Sequence, residues 1–158
     1  MKKSKKAKKS NSWKLRHRND RFFKKSKILG YRSRASFKLI ELDEKYKFLK
    51  KNSKILDLGS YPGGWSQVAS QKVTSGRILS IDIKLMKPIN NVKFYKNDIF
   101  NEETKKKILD FFPGKIDAII SDMAADTTGN KTTDSIRTNQ LCSEVVDFSI
   151  KILKQEGV

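Results

Sequence analysis

Four short apolar runs, interleaved with segments of helical period, constrain this chain more than any other feature. The runs occupy residues 54–59, 77–83, 92–95 and 116–122. Residues 64–72, 101–111 and 137–154 read as helices between and after them. Ahead of the first run, Ala35, Phe37, Leu39, Ile40, Leu42, Tyr46 and Leu49 recur at the spacing of a helix with one apolar side. Strands that alternate with helices are joined by crossovers, and right-handed crossovers produce a parallel sheet. The expected class is therefore α/β. Residues 124–134 are polar and rich in helix breakers, so they read as a loop, and no internal repeat is visible.

The ends of the runs carry the chemistry. Asp82, Asp98 and Asp122 fall at or just after the second, third and fourth. Ligands of open α/β sheets bind beyond the carboxyl ends of the strands. One such Asp is most often a helix cap or turn residue. Three of them beside a glycine-rich turn are a stronger signal. That turn, Asp57-Leu58-Gly59-Ser60-Tyr61-Pro62-Gly63-Gly64-Trp65, follows the first strand and opens a helix. Glycine there lets backbone approach a ligand closely. The spacing is not the G-x-G-x-x-G of dinucleotide sites, and this counts against a nicotinamide-dependent dehydrogenase. Asp82, at the end of the second strand, is placed to accept both hydroxyls of a ribose. Asp98, one strand further, is within reach of an adenine edge. The residues by themselves point to a nucleoside-containing cofactor.

Charge is distributed unevenly. Residues 1–40 hold 16 Lys or Arg against one acid, Asp20, a net of 16 − 1 = +15; the whole chain carries +18, so the remaining 118 residues carry +3. Residues 1–27 read as a basic, largely flexible arm for a polyanion, with RNA first. Trp13, Phe22 and Phe23 within it suit either stacking on bases or packing onto the domain. Residues 28–158 form the folded domain. Cys142 is the single cysteine, which excludes an internal disulfide, and His17 is the single histidine, so no metal site is expected. No apolar run is long enough to span a membrane and the basic N-terminus lacks an apolar signal core, so a cytoplasmic protein is expected.

Three segments resemble the FtsJ/RrmJ family of RNA ribose 2′-O-methyltransferases: Arg32-Ser33-Arg34-Ala35-Ser36-Phe37-Lys38-Leu39, then Asp57-Leu58-Gly59 with Pro62-Gly63-Gly64-Trp65-Ser66-Gln67, then Ser121-Asp122-Met123-Ala124. The order and spacing fit from about Phe22 onward, most closely in the branch that modifies a uridine of large-subunit ribosomal RNA during late ribosome assembly. The resemblance implies a Rossmann-like fold and S-adenosylmethionine as methyl donor. By position, Gly59, Gly63 and Trp65 would surround its methionine end and sulfonium, Asp82 its ribose, Asp98 its adenine, and Asp122 its charged part. Lys38 and Asp122 match the first two members of the family's Lys-Asp-Lys-Glu set. Ala125-Asp126 stands where better-known members have Pro-Asn.

The resemblance also implies a seven-stranded sheet in the order 3-2-1-4-5-7-6, of which four strands precede Val158, with the second Lys and the Glu lying after it. From this the C-terminal strands are expected to be missing, the fourth strand to form an exposed apolar edge, and the 158-residue chain to methylate poorly or not at all. A non-catalytic RNA-binding remnant of such an enzyme is the alternative. The expected partner is ribosomal RNA within the large subunit, and the expected state a monomer.

Overall fold

The structure, a computed structural model, describes residues 20–158. Trp13, His17 and most of the basic arm lie outside the described residues. The chain runs α1 (Arg21–Ile28), α2 (Ser36–Tyr46), β1 (Lys54–Leu58), α3 (Gly64–Lys72), β2 (Arg77–Asp82), β3 (Lys93–Lys96), α4 (Glu102–Phe111), β4 (Ala118–Ser121) and α5 (Lys131–Ile152). The strands form one sheet in the order β3-β2-β1-β4, and each neighbouring pair is parallel. This is the parallel α/β sheet expected from the alternation, in the Rossmann-like arrangement that the resemblance implies.

The pleat explains which residues meet. Successive strand residues point to opposite faces. On one face Ile55, Ile78, Ala118 and Ile120 pack with Leu39 of α2 and Trp65, Val68 and Ala69 of α3. On the other, Leu56, Leu58, Leu79 and Ile81 pack with Ile108 of α4 and Ile152 of α5. Leu56 is fully buried. Leu56→Ala is expected to cost about 2–5 kcal/mol, read as a lower urea midpoint with an unchanged slope. Full retention of the midpoint would contradict the assigned core.

Local chemistry sets the boundaries. The Asp20 carboxylate caps α1, accepting from the amides of Phe22 and Phe23. The part of the basic segment that is described is thus helical, and Phe22 rests on Phe37 with ring centroids 5.7 Å apart. The α2 helix stops at Tyr46, and Leu49 returns to the core because its amide donates to the buried Asp43 carboxylate at 2.8 Å. The last helix begins at Lys131, ahead of the expected 137, because Asn130 caps it through the amides of Thr132 and Thr133. The polar segment 124–134 therefore gives its last four residues to a helix.

The outer edge of β4 corrects another expectation. It is partly paired. The Ile116 amide donates to the Ile152 carbonyl at 2.9 Å and the Ile116 carbonyl accepts from Lys154 at 3.0 Å. Val158 bridges onward, donating to the Asp117 carbonyl and accepting from the Ile119 amide. The segment after α5 runs back along β4 and covers this stretch of the edge.

Candidate cofactor cleft and its neighbour

The β1–α3 turn is built for close approach. Gly59 has φ +72°, and an added Cβ would fall 1.9 Å from Cγ of Met123. Only glycine lets the turn pass under the Met123 segment. At the next step of the turn, an added Cβ on Gly64 would fall 2.1 Å from the Ser33 hydroxyl. This close contact presses the N-terminus of α3 against the start of α2, and Ser36 donates to the Gly64 carbonyl at 3.1 Å. The Tyr61–Pro62 peptide is cis.

Gly59, Asp82, Asp98 and Asp122 line one cleft of about 660 Å³ beyond the carboxyl ends of the strands. Two of the acids also serve as turn residues. Asp82 accepts from the Tyr61 amide at 2.8 Å through one oxygen and from the Lys84 amide at 2.7 Å through the other. Asp98 accepts from the Phe100 amide at 3.0 Å through a single oxygen. Carboxylate oxygens have two lone pairs each, so both residues keep accepting capacity toward the cleft.

The cleft is acidic although the chain is strongly basic. Asp82, Asp98, Asp122, Asp126 and Glu144 line it, against Lys84 and Arg137. Such a wall favours a ligand that carries positive charge and opposes a pyrophosphate. Among the described residues, no group of three or more His, Cys, Asp or Glu is arranged to hold a metal ion.

Lys38 reaches the site from α2. Its Nζ stands 2.5 Å from Oδ1 of Asp122, with both side chains partly open to solvent. These residues are 84 positions apart, so the pair exists only through the fold. Gly63 and Trp65 do not line this cleft; Trp65 lines the space that adjoins it. Gly63 is buried and turned toward Met86 and Arg32. Trp65 is 8% exposed, and its indole N–H donates to the Ala35 carbonyl at 2.8 Å. Its observed contact ties α3 to α2.

Asp57 was not singled out by its sequence position. It lies on the α2/α3 face, almost fully buried, where Ser66 Oγ donates to it at 2.5 Å and also meets Ser80 Oγ at 2.8 Å. Burial pushes its carboxyl up to about 7, against the Ser66 hydrogen bond, and the charges of Asp82 and Asp122 push the same way. The available signal was strand periodicity: Asp57 is two residues from Ile55 and shares its inward face.

A second pocket of about 370 Å³ adjoins the first, and Gly59, Tyr61 and Asp122 line both.

Comparison with known proteins gives the family. Residues 31–158 match the model of the FtsJ-like methyltransferase family. The Ribosomal RNA large subunit methyltransferase E of Rickettsia canadensis is 44% identical over 154 residues, covering 94% of this chain and 68% of that protein. The protein of the same name from Bartonella bacilliformis is 45% identical over 152 residues, covering 94% of this chain and 64% of that protein. A crystal structure of a ribosomal RNA methyltransferase from Plasmodium falciparum superimposes with a TM-score of 0.74 at 40% identity, over 80% of this chain and 75% of that one. With the family match spanning most of its length and the glycine turn and strand-end acids meeting at one cleft, this chain belongs to the FtsJ-like methyltransferase family.

Proposed function

We propose that the protein uses S-adenosylmethionine to methylate a ribose 2′-oxygen, on a uridine of large-subunit ribosomal RNA, during late assembly of the subunit. The acidic cleft carries this reading. S-adenosylmethionine supplies a methyl group on a positively charged sulfonium, and the lining acids suit that charge. Asp82 would hold the ribose hydroxyls and Asp98 the adenine edge. Gly59 lets the turn close against the Met123 side chain at the edge of the cleft. Gly63 and Trp65, at the start of α3, would support the methionine end from behind the turn.

Lys38 and Asp122 are assigned to the acceptor. With its Nζ held by the Asp122 carboxylate, Lys38 donates to the attacking 2′-oxygen, while the free oxygen of Asp122 accepts from the hydroxyl. Together they fix the hydroxyl in line with the methyl, which is the larger part of such a transfer. Residues 1–27 are assigned to RNA binding, and that affinity falls steeply with added salt. The names of the relatives support ribosomal RNA as the substrate.

Calorimetric titration with S-adenosylmethionine should show one site. Incubation with labelled cofactor and undermethylated large subunits, then digestion and mass spectrometry of the nucleosides, should place the methyl on a 2′-oxygen. Methyl on a base would refute the ribose assignment. Failure to bind the cofactor would refute the whole reading.

A further inference from the structure

The folded domain is nearly neutral, yet its charges are sorted to opposite ends of the sheet. The acids of the cleft lie beyond the carboxyl ends of the strands. The amino ends carry the reverse sign. Lys54 opens β1 and pairs across the sheet with Arg77, which opens β2, and Lys115 stands just ahead of β4. The Ser75 amide donates to the Lys51 carbonyl and the Arg77 amide to that of Ser53, so the turn before β1 belongs to the same surface. Lys151 and Lys154 arrive from the end of α5, where the Lys154 amide donates to Ile116. Asp117 is bound into this cluster by Lys154, and Asp110 and Glu156 flank it in sequence.

Part of this charge has a structural use. Right-handed crossovers make each helix run back against its strand, so α4 and α5 end where the strands begin. A helix end of that kind carries about half a negative charge. Lys54 Nζ donates to the Pro113 carbonyl at 2.5 Å and Arg77 to that of Phe111 at 2.9 Å, both at the end of α4. Lys115 Nζ donates to the Lys151 carbonyl at 2.6 Å in the last turn of α5. Capping does not absorb the whole cluster. At α4 two full charges meet about half a charge, and the carbonyls they touch are neutral. An ammonium has three N–H donors and a guanidinium five, so each keeps donors to spare. The side chains of Lys50, Lys51 and Lys151 make none of these caps and are exposed.

Cations spread over the starts of three strands, one turn and one helix end suit a repeating polyanion, which supplies a charge wherever a side chain reaches. Resting on the ribosomal RNA reading above, we propose that the amino-end surface is a second RNA contact, holding backbone phosphates of a segment other than the one presented to the cleft. β2 has six residues, so the two surfaces stand about 20 Å apart. The domain then sits between two stretches of RNA, one met by the cleft and the other by the opposite end of the sheet. The separation of charge also turns the domain as it approaches, with the basic end drawn to phosphate and the acidic cleft held off it.

The test combines Lys50→Gln, Lys51→Gln and Lys151→Gln in the full chain. Affinity for purified large ribosomal subunits is read by filter binding at several salt concentrations, cofactor affinity by calorimetry, and contacts by ultraviolet crosslinking with peptide mass spectrometry. The triple variant should bind subunits about tenfold more weakly or worse, with a slope of log K against log salt shallower by about 2–3. It should bind S-adenosylmethionine as the wild type does. Arg77→Gln should weaken subunit binding, and Arg77→Lys, which keeps the charge, should restore it. Crosslinks to RNA are expected from peptides holding residues 50–54 or 151–154. Unchanged affinity and slope in the triple variant would leave these cations to the helix ends and overturn the proposal. Crosslinks from those peptides to a ribosomal protein in place of RNA would overturn it too. A wild type that binds cofactor and subunits, beside a variant that loses nothing, defeats this surface alone; a wild type that fails to bind subunits defeats the ribosomal RNA reading and this surface with it.

Discussion

Asp82→Ala is expected to weaken S-adenosylmethionine binding by roughly 10- to 150-fold in calorimetric titration. A hydrogen bond to a charged group contributes about 1.5–3 kcal/mol, and each 1.4 kcal/mol is about tenfold in affinity. The substitution removes the acceptor for the ribose, and it also releases the two amides that Asp82 fixes, those of Tyr61 and Lys84. The turn would then lose both a direct contact and its shape. Asp82→Asn separates these effects. Its amide oxygen still accepts from one backbone N–H, so the turn survives better while the charge is gone. The expected order of affinity is wild type, then Asn, then Ala. An Ala variant that binds within twofold of wild type would remove Asp82 from the cofactor site.

A rise in the relative stability of Asp57→Asn with pH is the second large effect. The sign follows from the two protonation equilibria. An unfolded aspartate titrates near 3.8, whereas buried Asp57 titrates at about 7. Below 3.8 the carboxyl is neutral in both states and its stabilising contribution is complete. Between 3.8 and 7 the unfolded chain ionises and the folded one resists, so stability falls as pH rises. Above 7 the loss is complete. Asparagine has nearly the same shape, can still accept from Ser66, and does not titrate. The variant's melting temperature, measured against wild type at each pH, should therefore climb from pH 4 to about 7 and then level off. At 1.36 kcal/mol per pH unit the ceiling is about 4 kcal/mol. For a chain of this size that is on the order of 10 °C. A difference that stays flat from pH 4 to 8 would show that Asp57 is ionised throughout.

Much of the sheet was readable because parallel strands buried on both faces appear as continuous apolar runs. The helix at 64–72 was readable for a different reason: it follows a strand and a glycine turn that opens it. Four features were less accessible, each with a cause. Asn130 starts α5 inside a stretch whose composition says loop, since one capping side chain outweighs several poor helix formers. The cover over β4 depends on where Leu153 and Val158 return, which no local pattern encodes. The packing of Trp65 was less accessible than its place in a glycine-rich turn: its ring joins the core, its N–H donates to Ala35, and it also lines the second pocket. Asp57 was hidden in a motif that drew attention to its glycines. The strand-end acids were different: Asp82, Asp98 and Asp122 lie at or just after the ends of three separate strands, and the order of those strands brings them to one cleft with Gly59. Resemblance named Lys38 and Asp122 as members of one set, but their contact across 84 positions comes from the fold, since periodicity says nothing about it.

The end of β2 has a further consequence. The carbonyl of Ile81 accepts from the amides of both Gly59 and Ser60, at 2.9 and 3.2 Å, and the neighbouring Asp82 carboxylate takes that of Tyr61. Three successive amides of the turn are thereby stitched to the adjoining strand. The mould is cast during folding, so an incoming molecule has little left to freeze, and its affinity reflects contacts made more than motion lost.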